Sequence, residues 1–262
     1  MEPTRYRPGS LRELCAVALP LVFSSGSISL MHVIDRMFLT WDSTEALAAA
    51  MPAGMLHWTM MSIAIGTASY VNTFVAQYDG AGRADRVSAS VWQGVYLSLI
   101  MGLPFLLVVP FSWDLFALFG HDPVVAEMEA SYFAILCAGA VPTTMAAALA
   151  CFYSGRGKTL PVMWINFFTA GVNVVLDYLL IFGPGPFPRW GIEGAAIATV
   201  IAQIAAVGCY GLLMCRRVER REYGLWRHWR FDSDLFRRLM HFGLPTGVQL
   251  MLDIAGFTLF LI

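Results

Sequence analysis

Charge is what this sequence has least of. Asp, Glu, Lys and Arg make up 13% of its 262 residues against 58% hydrophobic, and mean hydropathy is +0.63. So few charges cannot clothe a water-facing surface, which excludes an ordinary soluble domain and leaves an integral membrane protein. A net charge of −1 removes overall basicity as an argument for nucleic acid. Cys15, Cys137, Cys151, Cys209 and Cys215 form no C-x-x-C pair, so they read as small helix residues and not as a metal site or disulfide framework. There is no H-E-x-x-H of the kind a membrane metalloenzyme would need. Ten-residue stretches of strict apolar/polar alternation, the mark of barrel strands, are also missing. Basic residues followed by an apolar run imitate a signal peptide at the start, but the run from Cys15 to Thr40 is far longer than a signal core and is expected to stay in the mature protein.

What is there in quantity is apolar sequence. Seven runs are long enough to span a bilayer: 15–40, 51–78, 92–119, 130–153, 160–184, 194–215 and 239–262. The fold class expected is all-α integral membrane. If the spans alternate, Arg5, Arg7, Arg12, Arg83, Arg86, Arg156, Lys158 and the eight arginines from Arg216 to Arg238 fall on one side. Only Arg189 falls on the other, while Arg36 sits inside the first span. The positive-inside rule then makes the amino terminus cytoplasmic and turns the acidic stretches WDSTEA and HDPVVAEMEA outward. The basic stretch RRVERREYGLWRHWRF reads as a cytoplasmic linker with Trp226 and Trp229 at the interface, in preference to a lipid- or nucleic-acid-binding patch.

The linker also separates two copies of one pattern. LRELCAVALP (11–20) aligns without a gap on FRRLMHFGLP (236–245), pairing Arg12 with Arg237, Leu14 with Leu239 and Pro20 with Pro245. A copy that begins after six spans keeps the orientation of the first, which is the plan of transporters built from parallel repeats. The expected organisation is a six-span lobe over 1–215, a linker over 216–238, and over 239–262 the first helix of an incomplete second lobe.

The fifth span carries Asn166, Asn173 and Asp177 at intervals of seven and four, a polar stripe on one face of an apolar helix. An acid at mid-membrane costs about 2.5–3.5 kcal/mol, so it should face protein or a wet cavity. Asp35 lies seven residues before Asp42, and Asp177 seven before Pro184, so both acids sit about 10 Å below the outer boundary. Thr199, eight residues into the sixth span, reaches a similar depth. Two carboxyls held together in a low-dielectric site can carry protons. With the oxygens of Asn173 and Thr199 the group suits sodium equally well, since hard cations take oxygen ligands. His32 shares the face of Asp35, and Arg36 either bends toward that acid or snorkels to the interface. Pro20 and Pro245 each remove a helical hydrogen bond and favour a kink.

Several stretches together resemble the multidrug and toxin extrusion (MATE) family: ALPLVFSSGS leading to VIDRMFL, EALAAA, FVAQYDGAGR, LFALFGHDPVV, NVVLDYLLIFG and GIEGAAIATVIAQ. The resemblance implies twelve helices in two six-helix lobes around a cavity, and export of organic cations or other amphiphiles in exchange for protons or sodium. It implies no cofactor and no enzyme activity, with membrane lipid, the small-molecule substrate and the remaining carboxy-terminal lobe as partners, and the bacterial inner membrane as location. Carried over by position, Asp35, Asn173, Asp177 and Thr199 match the first lobe's cation or proton site, and Pro20 matches a proline linked to helix bending. Asp253 stands where many members have a glutamate for cation binding, and Arg36 where a small or uncharged residue is expected. The competing expectations are a lipid-linked saccharide flippase, which would want cations in the cavity, and a seven-helix receptor, which would want the amino terminus outside.

Overall fold

The computed structural model describes residues 10–216, 219 and 222–261, and all regular structure among them is helical. In chain order the α-helices are α1 (Leu11–Asp42), α2 (Thr44–Ser69), α3 (Val71–Gly80), α4 (Ala84–Gly102), α5 (Ser112–Ala117), α6 (Pro123–Ala138), α7 (Ala140–Ser154), α8 (Thr159–Phe182), α9 (Gly191–Met214) and α10 (Ser233–Leu261). Five stretches are long and apolar enough to cross a membrane: Leu14–Asp42, Thr44–Gly80, Ala84–Ala117, Thr159–Phe182 and Gly191–Met214. A sixth is added if α6 and α7, bent by 46° across Gly139, make one span. The seventh expected run, 239–262, falls within α10 up to Leu261.

The boundaries follow from local chemistry that hydropathy does not register. Ser43 alone separates α1 from α2, its hydroxyl capping the Ala46 N–H at 2.9 Å, so most of the acidic stretch expected as an outer loop is helical. Asp122 caps α6 in the same way, accepting from the Val124 N–H at 2.9 Å with Pro123 in the first turn, so only His121 and Asp122 of the second acidic stretch lie outside a helix. Beyond Gly102 the fourth helix tightens into two short 3₁₀ segments around Pro104 and Pro110 before α5. Gly183 ends α8 in the left-handed conformation at φ 60°, which turns the chain back to α9. Both α1 and α10 run unbroken through Pro20 and Pro245.

The helices pair as α1 with α8, α8 with α9, α2 with α6 and α10, and α4 with α7. Alanine makes the close approaches possible: Ala46, Ala49, Ala53, Ala64 and Ala68 on α2, and Ala195, Ala196, Ala198, Ala202 and Ala206 on α9, are all buried. One core cluster gathers Leu39, Phe116, Phe133 and Ile181, and a second gathers Phe74, Leu97, Phe152 and Tyr210 with Leu225, Leu235 and Leu239.

That second cluster takes in part of the expected linker. The helix expected from 239 already begins at Ser233, started by the Asp232 carboxylate accepting the Leu235 N–H at 3.0 Å. The residues before it are fastened along α4: Ser88 Oγ donates to the Tyr223 carbonyl, Trp92 Nε1 to the Leu225 carbonyl, Tyr96 to the Trp229 carbonyl, and Arg86 pairs with Asp232 at 2.7 Å. Trp226 and Trp229 remain half exposed, as an interfacial position requires. Arg156, Glu219, Asp79 and Tyr223 join this end, while Arg189 and Asp42 pair at 2.6 Å at the other. Arg5, Arg7, Arg217, Arg220 and Arg221 lie outside the described residues.

Candidate functional site

Helices α1 and α8 lie side by side, and their contact divides the polar stripe of α8 into two unlike parts. Asn166 serves the helix pair, donating through Nδ2 to Ser24 Oγ at 2.6 Å, while Thr159 donates to the Val17 carbonyl at 3.1 Å near Pro20. A proline without an N–H leaves helical carbonyls free in the preceding turn, and a neighbouring hydroxyl is one way to use them.

Two turns further along α8, Asn173 and Asp177 are buried to 1% and 0% exposure. Asn173 Nδ2 donates to Asp177 Oδ1 at 3.5 Å and to Thr199 Oγ1 of α9 at 3.3 Å. Asp35 approaches from α1, close enough for its carboxyl and that of Asp177 to act on each other through space. Asn173 therefore joins Asp177 and Thr199 by hydrogen bonds, and Asp35 stands within electrostatic reach of Asp177. Three buried oxygens of the group, Asp35 Oδ1, Asn173 Oδ1 and Asp177 Oδ2, have no hydrogen-bond partner among the described residues. Buried polar atoms are normally satisfied, so three unpartnered oxygens in one group stand out. The donor set suits sodium, being carboxylate, amide and hydroxyl oxygens. Among the described residues no cluster of three His, Cys, Asp or Glu offers a site for a transition metal.

Sequence reasoning missed Tyr132. This buried α6 residue lies within the fields of both Asp35 and Asp177. It sits nine residues below Pro123, so the depth argument that placed the acids would have found it. His57 of α2 was missed too. Its ring stands edge-on to Phe133, and Nε2 is buried without a partner among the described residues.

Asp35 and Thr199 of the group border a cavity of about 1000 Å³ whose lining also includes His32, Arg36, His57, Trp58, Tyr132 and Asn166. Met31, Met51 and Met55 add adaptable apolar wall. Asp253 borders the same cavity from α10 and is exposed, apart from the buried group. Pro245 lines a separate groove of about 600 Å³ along α10.

An all-helical membrane bundle that holds ionisable side chains beside an internal cavity has the build of a transporter. Residues 20–179 match the MatE family model, and the chain belongs to that family of transporters, the multidrug and toxin extrusion family. It is 25% identical over 263 aligned residues to a probable multidrug resistance protein NorM of Thermotoga maritima, covering 98% of this chain and 55% of that protein. It is 26% identical to the multidrug resistance protein MdtK of Cronobacter sakazakii, covering 94% and 54%. The outward-facing structure of a multidrug resistance MATE family transporter of the MOP superfamily superposes with a TM-score of 0.83 at 21% identity, covering 94% of this chain and 54% of that one. The chain thus spans about half the length of the curated relatives it matches.

Proposed function

We propose that the chain is the first lobe, with the first helix of the second, of a secondary antiporter that exports organic cations or other amphiphiles in exchange for protons or sodium. Asp35, Asn173, Asp177 and Thr199 hold the coupling ion, Asp253 offers a second cation contact from α10, and Pro20 and Pro245 lie in the helices that move. The observation that carries the reading is the set of three unpartnered buried oxygens, one of them on Asp35, which lines the cavity. An ion bound there is released as the cavity takes substrate, which is the exchange an antiporter requires. The amino terminus and the basic end of the bundle face the cytoplasm of a bacterial inner membrane. Among the described lining residues Arg36 is the one Lys or Arg, too few for the diphosphate of a lipid-linked saccharide.

Competition between ion and substrate tests this. The purified chain in nanodiscs binds ethidium, and sodium or protons weaken that binding in the wild type but not in Asp35→Asn or Asp177→Asn. Absence of ethidium binding, or equal competition in both variants, would overturn it.

A further inference from the structure

Arg36 is an anomaly within this site. Four other arginines of the described chain have carboxylate partners: Arg83 with Asp85, Arg86 with Asp232, Arg156 with Glu219 and Arg189 with Asp42. Arg36 lies about 9 Å below the outer end of α1, six residues before Asp42, and its guanidinium makes no hydrogen bond or ion pair among the described residues. It is exposed, it lines the cavity, and its charge reaches His32, Asp35 and Tyr132 through space. An unpaired cation at membrane depth is costly unless it serves a cavity.

We propose that Arg36 is a recognition site for a carboxylate on the substrate, so that the cavity takes amphiphilic zwitterions in preference to simple cations. This rests on the transport reading above and names the substrate class for it. A guanidinium offers a planar fork that fits a carboxylate with two parallel hydrogen bonds. The remaining lining matches the rest of such a molecule. Trp58, Met51 and Met55 on α2 present aromatic and thioether surface to a ring system, and Asp253 on α10 presents an acid to an ammonium. Arg36 and Asp253 stand on different helices bordering one cavity, so opposite charges on one ligand are met from different walls.

A matched pair of fluorescent probes reads the effect: Nε-dansyl-lysine, a zwitterion, and dansylcadaverine, the same molecule without the carboxylate. For the whole chain in nanodiscs, dansyl-lysine should bind about tenfold more tightly than dansylcadaverine, the size of one charge-assisted bond. Arg36→Gln should erase that ratio, and Arg36→Lys, which keeps the charge but not the fork, should retain part of it. Arg189→Gln, which removes a cation paired at the outer end, should leave it intact. Equal binding of the two probes by the wild type, or a ratio kept by Arg36→Gln or lost by Arg189→Gln, overturns the proposal while leaving transport standing. If Arg36→Gln binds neither probe, Arg36→Lys decides: a ratio near one there overturns the assignment, and a partly preserved ratio upholds it. Failure of the wild type to bind either probe overturns the transport reading and this one with it.

Discussion

Arg156 shows how a single side chain holds the linker to the lobe. Its side chain is 1% exposed, its guanidinium lies 3.7 Å from the centre of the Phe152 ring and 4.5 Å from that of Tyr223, and it pairs with Glu219 at 2.8 Å. Arg156→Ala strands Glu219 and removes both ring contacts, and should cost about 3 kcal/mol; the fall in midpoint of urea unfolding in nanodiscs measures it. The same linker has a pH window. The Leu235 N–H bond to Asp232, aided by Arg86, holds that carboxyl below its ordinary value, so its contribution is present above about pH 4 and lost as pH falls further. Burial pushes the Tyr223 phenol, which donates to Asp79 at 2.7 Å, up to about 12; that contribution is full below about pH 10 and lost as pH rises through 12. Hydrogen exchange of 222–232, corrected for intrinsic rate, should be slowest across that plateau and speed up on both sides. At this scale the proposed site was partly legible. The shared depth of Asp35, Asp177 and Thr199 could be read because depth along a helix follows from residue count alone. The structural duty of Asn166 was hidden, since its partner Ser24 lies 142 positions away and lateral position is not written in one helix.

Among the elements, α8 and α9 were read closely, 160–184 against Thr159–Phe182 and 194–215 against Gly191–Met214, because each is one uninterrupted apolar helix. The breaks at Tyr70 and Gly139 and the 3₁₀ stretch after Gly102 escaped, since a hydropathy window averages over the backbone geometry that makes them. The crossing of α2 and α10 also escaped, although its residues are plain. A Cβ on Gly66 would lie 2.7 Å from Gly247 Cα, one on Gly247 would collide with the Ile63 carbonyl, and one on Gly243 would lie 2.9 Å from the Thr67 carbonyl. Gly243 and Gly247, four apart, form the small-residue face that lets two membrane helices touch. Gly247→Val should therefore lower stability by about 1–3 kcal/mol through overpacking, whereas Gly208→Ala, with open space around it, should not. Thermal unfolding of both variants in detergent checks this.

For the whole molecule, the basic loops gather at one end of the bundle, around Arg86, Arg156 and the linker, and the orientation proposed puts that end in the cytoplasm. Trypsin added to inverted membrane vesicles should then cut within 216–238, and trypsin added to sealed spheroplasts should not. Alternating access needs one lobe to rock against another, so residues 1–262 alone in liposomes should not move a dye down an imposed ion gradient; gradient-driven uptake would contradict this. The central claim is narrower, that Asp35, Asn173, Asp177 and Thr199 make one site for the coupling ion. The direct measurement is the thermal midpoint of the purified chain in nanodiscs, first with sodium replaced by choline at constant ionic strength, then with pH lowered from about 7.5 to about 5.5. A ligand at a hundred times its dissociation constant stabilises by about 2.7 kcal/mol, which amounts to several degrees. The account predicts that one of the two ions raises the midpoint of the wild type by that amount and that Asp177→Asn abolishes the rise. A wild type indifferent to both ions, or an Asp177→Asn variant that responds as the wild type does, would contradict it.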